Sequence, residues 1–163
     1  MSKWFRTYGF ADVYQDLLIG AYPLDEDDVA MLAGTGVTRV FNLVEEEEYE
    51  NGTHESVQAA LALRQIEEHR LPMTDFGGLR ADVLELAVDG VLASLAAGER
   101  TYVHCRAGWQ RSAAVAAGVV ALRDGVDVDR ALERVRAMKP TAEPLPHQCD
   151  DLRAWYRWRT AAG

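Results

Sequence analysis

The chain has 163 residues, 48% of them apolar and 26% charged, which suits one compact globular domain. Its 26 acidic and 17 basic residues leave a net charge of −9, which repels nucleic-acid backbones and anionic membranes. No apolar run approaches the roughly 18 to 20 residues of a membrane-spanning helix, and the first six residues lack the apolar core of a signal peptide. Cys105 and Cys149 are too few for a disulfide framework. We therefore expect a cytoplasmic protein without nucleic-acid partners or membrane insertion.

Hydrophobic periodicity and turn residues predict strands that alternate with helices through the middle of the chain. In chain order these are a strand at 16–20, a helix at 25–32, a strand at 38–44, a helix at 55–63, a strand at 64–71, a helix at 79–97, a strand at 101–104, and helices at 112–123, 129–138 and 147–159. The helix at 112–123 is so rich in Ala and Val that burial on nearly all sides is expected. We predict a single α/β domain over residues 1–163, with a central, mostly parallel sheet flanked by helices.

The segment with the clearest chemistry is the loop from Cys105 to Arg111, between a predicted strand and the buried helix that begins at Ser112. A loop that turns back before a helix N-terminus directs several backbone N–H groups and the positive end of the helix dipole at its centre. Such a loop binds anions, and phosphate in particular. The backbone of residues 106–110, which are Arg106, Ala107, Gly108, Trp109 and Gln110, is therefore predicted to bind the phosphate group of a substrate.

Three side chains give this loop a chemical function. The planar guanidinium of Arg111 can hold two phosphoryl oxygens at once. The same positive field favours the thiolate form of Cys105, which makes it a candidate nucleophile. The Ser112 hydroxyl can donate a hydrogen bond to the sulfur and ease its departure, while Gly108 supplies a backbone conformation that closes the loop. This combination predicts nucleophilic attack on phosphorus.

The sequence His104-Cys105, five residues, then Arg111-Ser112 resembles the signature loop of the protein tyrosine phosphatase superfamily. The small size is similar to that of its dual-specificity branch, and the resemblance covers about Tyr14 to Trp155. The segment Glu46-Glu47-Glu48-Tyr49-Glu50 also resembles the phosphatidylglycerophosphate phosphatase group within that branch. The resemblance implies a protein tyrosine phosphatase-like fold and hydrolysis of phosphomonoesters without metal or cofactor.

The resemblance further implies a two-step mechanism. Cys105 attacks phosphorus to give a cysteinyl-phosphate while Asp75 protonates the leaving oxygen, and water then hydrolyses the intermediate with Asp75 as base. Asp82 is the alternative acid, although its place inside a predicted helix favours a solvated role. The implied substrate is phosphotyrosine in proteins, with phosphoserine and phosphothreonine as further candidates.

Two positions depart from the family pattern. Gln110 stands where the loop usually has Gly before the Arg, which changes how water or substrate reaches the sulfur. Trp109 stands where the lipid phosphatase group tends to have a second basic residue, so an anionic lipid headgroup is less well supported. Three alternatives stay open: a phospholipid or small-molecule phosphomonoesterase of the same mechanism, a phosphate-binding module without turnover, and a rhodanese-like persulfide transferase.

Other polar groups have simpler interpretations. His104 is expected to support the loop, and Cys149 to pack in the last helix. A zinc site formed by His104, Cys105, His147 and Cys149 is disfavoured because adjacent residues of a strand point to opposite faces. The acidic run Glu45 to Glu48 is interpreted as a solvated edge.

Overall fold

The protein is a five-stranded sheet with helices on both faces. The structure is a computed structural model and describes residues 1–162. The strands are β1 (Phe10–Tyr14), β2 (Leu17–Gly20), β3 (Arg39–Asn42), β4 (Glu67–Arg70) and β5 (Thr101–His104). The helices are α1 (Lys3–Tyr8), α2 (Glu26–Gly34), α3 (Thr53–Leu63), α4 (Ala81–Ala96), α5 (Arg111–Asp124), α6 (Val128–Met138) and α7 (Pro146–Ala162). A short 3₁₀ helix spans Glu46–Glu48. The predicted α/β class is confirmed.

The strand order β1-β2-β5-β3-β4 places β5 at the centre of the sheet. Only β1 is antiparallel to its neighbour, and β2, β5, β3 and β4 run parallel. Gly20 and Asn42 both pair with His104, so the carboxyl ends of three strands lie level at one edge. Ligands of open parallel sheets bind beyond this edge, and the loop that follows β5 begins there.

Two hydrophobic cores hold the layers together, one on each face of the sheet. On one face α4, α5, α6 and α7 pack around Trp155 and Leu152, which are almost wholly buried. On the other face α1, α2 and α3 pack around Phe5 and Tyr102. Every residue of α5 from Arg111 to Ala121 is buried, which confirms the expectation for this helix. Among the described residues, no helix is long and apolar enough to cross a membrane.

The sequence patterns missed the first two elements, α1 and β1. The helix has only six residues and ends at Gly9, whose φ of 58° lies in the left-handed region. It is fixed from outside, because the buried carboxylate of Asp28 accepts hydrogen bonds from the backbone N–H and the hydroxyl of Ser2. A helix this short depends on such tertiary contacts, which helical periodicity does not reveal.

Candidate active site

A pocket of about 290 Å³ opens at the carboxyl edge of the sheet, over the loop between β5 and α5. Four of the five predicted phosphate-binding residues line it, together with three of the four predicted catalytic residues, one of which comes from another loop. The lining residues are Trp4, Tyr8, Asp75, Phe76, Cys105, Arg106, Ala107, Trp109, Gln110 and Arg111. The structure therefore brings Cys105, Arg111 and Asp75 to one pocket, although Asp75 lies far from the other two in the chain.

Cys105 follows directly on β5 and lies at the floor of the pocket, with only 3% of the residue exposed. Its Sγ lies 3.3 Å from the hydroxyl oxygen of Ser112, which is buried in the first turn of α5. Ser112 therefore contacts the sulfur from behind and does not line the pocket. This is the geometry in which a hydroxyl can donate to a thiolate.

Gly108 shapes the loop without lining the pocket. Its φ of +77° favours glycine, and a Cβ at this position would lie 2.6 Å from the backbone of Gly20 at the end of β2. Gly20 is crowded in the same way, since a Cβ there would meet the carbonyl oxygen of Gly9. Gly108 therefore lets the loop backbone approach the end of β2, while Gly20 leaves room for the segment that precedes β1.

Arg111 is the most heavily bonded side chain of the site and is 1% exposed. Its Nη1 donates to the carbonyl oxygen of Met73 at 2.9 Å, and its Nη2 lies 3.2 Å from Oδ1 of Asp75. The Nε–H is buried and has no hydrogen-bond acceptor among the described residues. The two terminal nitrogens of the guanidinium are thus fixed by these contacts, while its Nε–H remains without an acceptor among the described residues.

The main contact of Arg111 is Glu48, which the sequence interpretation did not single out. The Glu48 carboxylate accepts hydrogen bonds from Nη1 and Nη2, each at 2.8 Å. Burial alone would raise the pKa of Glu48, but its bonds to Arg111 and to the backbone N–H of Glu45 outweigh burial and lower the pKa. Interpretation of the acidic run as a solvated edge is therefore wrong for Glu48, whose side chain is 11% exposed.

The segment that carries Glu48 is stabilised by hydrogen bonds between residues three positions apart. Glu45 and Glu48 form a reciprocal capping box around the 3₁₀ helix, and the carboxylate of Glu48 accepts from the backbone N–H of Glu45 at 2.8 Å. Acidic residues three positions apart at a helix start are a recognisable local signal. That signal indicates the turn, but it does not indicate that the turn faces Arg111.

Asp75 lies in the segment between β4 and α4 and faces the pocket with its side chain 25% exposed. The alternative acid, Asp82, is on the first turn of α4 and pairs with the exposed Arg80 at 2.8 Å. Asp82 does not line the pocket. Between the two candidates, the geometry favours Asp75.

The far wall of the pocket comes from α1, which the sequence analysis did not predict. The indole N–H of Trp4 donates to the carbonyl oxygen of Arg106 at 2.7 Å, and the Arg106 guanidinium lies 5.2 Å from the Trp4 ring centroid. Tyr8 contacts Trp109 edge to face, with 5.7 Å between ring centroids. With Phe76, these rings give the pocket an aromatic lining around a basic floor.

The remaining titratable groups near the loop have structural contacts. His104 is buried, its Nδ1 lies 3.1 Å from the carbonyl oxygen of Cys105, and burial lowers its pKa to about 4. Cys149 is buried in α7, where burial raises the pKa of its thiol. His147 contacts the carbonyl oxygen of Phe76 at 3.1 Å. The two histidines and Cys149 thus have separate partners.

Comparison with known proteins identifies the family of the chain. The family model of the dual specificity phosphatase catalytic domain matches residues 17–158, so the chain belongs to that family. A curated relative, phosphatidylglycerophosphate phosphatase PTPMT2 from Arabidopsis thaliana, is 32% identical over 149 residues, which cover 91% of this chain. The chain spans 62% of the length of that relative. Within the dual-specificity branch, the chain therefore resembles the phosphatidylglycerophosphate phosphatase group.

Solved structures share the fold. A crystal structure of PTPMT1 in complex with PI(5)P superposes with a TM-score of 0.80 at 24% identity, covering 94% of this chain and 97% of the other. Tk-PTP in the active form gives a TM-score of 0.78 at 22% identity, over 90% and 96% of the two chains. Kinase associated phosphatase, with its catalytic site cysteine replaced by serine, gives 0.79 at 20% identity, over 90% and 88%. The predicted protein tyrosine phosphatase-like fold is confirmed.

Proposed function

We propose that the protein is a cysteine-dependent phosphomonoester hydrolase that acts on protein phosphotyrosine. The observation that carries the proposal is the convergence of Cys105, Arg111 and Asp75 on one pocket. In addition, the Nε–H of Arg111 is buried and has no acceptor among the described residues. A buried donor without an acceptor is costly unless a ligand completes its hydrogen bonding, and a phosphoryl oxygen is a suitable acceptor. Family membership supports the same reaction class.

In the first step, the Cys105 thiolate forms a bond to phosphorus as the bond from phosphorus to the leaving oxygen breaks. Asp75 gives its proton to that oxygen, and Arg111 together with the loop N–H groups stabilises the charge on the other phosphoryl oxygens. In the second step, water attacks the cysteinyl-phosphate while Asp75 accepts a proton. Inorganic phosphate leaves, and the Ser112 hydroxyl stabilises the returning thiolate at 3.3 Å.

The aromatic lining supports a phosphorylated aromatic ring as the substrate. Trp4, Tyr8 and Phe76 offer ring faces and edges above the basic loop, and aromatic pairs gain energy beyond simple burial of area. A second candidate is a phospholipid monoester, because the curated relative is named a phosphatidylglycerophosphate phosphatase. The single exposed cation of the loop, Arg106, lies against Trp4, which favours the aromatic substrate over a highly anionic headgroup.

The test is hydrolysis of p-nitrophenyl phosphate at about pH 5 to 7 with EDTA, followed by comparison of a phosphotyrosine peptide with phosphatidylglycerophosphate in detergent micelles. Cys105→Ser is expected to abolish turnover, and Asp75→Asn to reduce it about 10²- to 10⁴-fold with a poor leaving group. Cys149→Ser is the matched control and keeps full activity. Turnover that survives in Cys105→Ser would contradict the mechanism, and a higher kcat/KM on the lipid would select the second candidate.

A further inference from the structure

The loop that presents Asp75 to the pocket is held at its tip by the first turns of α7. Gly77 and Thr74 close a turn through a 3.0 Å backbone hydrogen bond, and Phe76 within it has a φ of +59°, which non-glycine residues rarely adopt. Phe76 is also 63% exposed, so little packing fixes it. This turn requires outside contacts to keep one conformation.

Those contacts come from two neighbours at the start of α7. His147 Nε2 lies 3.1 Å from the carbonyl oxygen of Phe76 and 3.3 Å from that of Gly77. Gln148, a residue outside the pocket that is 0% exposed, supplies the buried contact. Its side-chain Nε2 donates to the carbonyl oxygen of Gly77 at 3.1 Å. Its Oε1 accepts from the backbone N–H of Leu145 at 2.9 Å. Both ends of the amide are satisfied, so Gln148 ties the Asp75 loop to the segment before α7.

That second segment is itself bonded to the phosphate-binding loop. The backbone N–H of Glu143 donates to the carbonyl oxygen of Trp109 at 2.6 Å. Gln148 therefore stands between two loops of the site and fixes one relative to the other. The helix that carries it is rigid, since Leu152 and Trp155 anchor α7 in the core.

We propose that Gln148 is a positioning residue that sets the place of the Asp75 carboxyl over the leaving oxygen. The inference rests on the proposed function, because it concerns the proton transfer by Asp75. Neighbouring contacts assist: His147 Nε2 donates to the Phe76 carbonyl oxygen, and Asp151 accepts from the backbone N–H of Leu79 at 2.8 Å. Gln148 differs from both in being wholly buried and in bridging two loops.

A leaving-group series separates positioning from a general loss of stability. An activated aryl phosphate leaves without protonation, whereas an alkyl phosphate needs the acid. Gln148→Met removes both hydrogen bonds at similar volume. We expect kcat/KM, which reports the first step alone, to fall about 3- to 10-fold for the poor leaving group, with little change for the good one. Asp150→Asn, on the exposed side of the same turn, is the control that leaves both rates unchanged.

A double variant makes the test specific. If Gln148 acts through Asp75, adding Gln148→Met to Asp75→Asn produces no further loss of kcat/KM for the poor leaving group. An additional loss of the same factor, or an equal loss on good and poor leaving groups, would overturn the proposal. Hydrogen exchange of the backbone over residues 74–79 gives a reading without turnover: faster exchange in Gln148→Met is expected, and unchanged exchange contradicts the tether. A wild-type protein without turnover would instead contradict the proposed function.

Discussion

The carboxylate of Glu48 accepts a hydrogen bond from each terminal nitrogen of Arg111, both at 2.8 Å, across 63 residues of sequence. Two parallel hydrogen bonds fix the plane of a guanidinium as well as its position. Under the proposed function the plane matters because it sets the direction of the remaining Nε–H, which has no acceptor among the described residues. The acidic turn therefore orients Arg111, and in the proposed function it acts on the substrate through that side chain.

Glu48→Gln is expected to lower kcat/KM about 10-fold or more, because one of the two charge-assisted bonds to Arg111 is lost and the guanidinium gains freedom to turn. The free energy of unfolding should also fall by about 1 to 3 kcal/mol. Steady-state kinetics and urea unfolding measure the two effects. Glu47→Gln, in the exposed neighbour, changes neither, and equal effects of the two substitutions would contradict the role given to Glu48.

Gly108→Ala and Gly125→Ala form a matched pair. Both glycines have positive φ, but a Cβ at Gly108 would lie 2.6 Å from the backbone of Gly20, while at Gly125 it would meet nothing within 4 Å. The Gly125 variant is expected to lose about 1 kcal/mol of unfolding free energy, and the Gly108 variant at least about 3 kcal/mol together with its activity. Thermal unfolding compares them. Similar losses in both variants would show that the close approach to Gly20 is unimportant.

Because His104 is buried, we expect the free energy of unfolding to depend on pH. Burial lowers its pKa to about 4 in the folded protein, whereas an unfolded chain has a histidine pKa near ~6.5. Below about pH 6.5 the unfolded state therefore takes up a proton that the folded state does not. Stability is full above that pH and decreases as the pH falls towards about 4, by about 3 kcal/mol in all.

Urea unfolding at several pH values checks this dependence. His104→Gln is expected to flatten the loss between about pH 6.5 and 4, whatever its stability at neutral pH. An unaltered slope in the His104 variant would assign the acid sensitivity to other groups.

Trp4→Phe tests the aromatic wall. The substitution keeps a ring beside the Arg106 guanidinium but removes the N–H that donates to the Arg106 carbonyl oxygen at 2.7 Å. We expect KM for a phosphotyrosine peptide to rise about 3- to 10-fold with kcat nearly unchanged, since the ring contacts substrate away from the reacting atoms. Trp158→Phe, at a tryptophan 57% exposed outside the pocket, is the control. A fall in kcat with constant KM would contradict a role of Trp4 in substrate binding.

Local patterns in the sequence were enough to predict the alternating elements and the loop from Cys105 to Arg111. Strand and helix periodicity and the glycine at 108 each act within a few residues. The contacts that complete the site join residues that are far apart in the sequence. Glu48 meets Arg111, Trp4 meets Arg106, and Gln148 meets Gly77, each through a fold that joins distant segments. Sequence periodicity does not predict such long-range pairs. The short helix α1 depends on long-range contacts for its stability.

The central position of β5 also bears on how the molecule assembles. Without β5, the pair β1-β2 and the pair β3-β4 share no hydrogen bond, because β5 alone lies between β2 and β3. A nascent chain that has not yet reached Thr101 can hold only two separate ribbons. Insertion of β5 joins them and, in the same event, brings Cys105 to the sheet edge. Such long-range pairing is slow relative to local helix formation, so Cys105 reaches its place between β5 and α5 only when the sheet itself is completed.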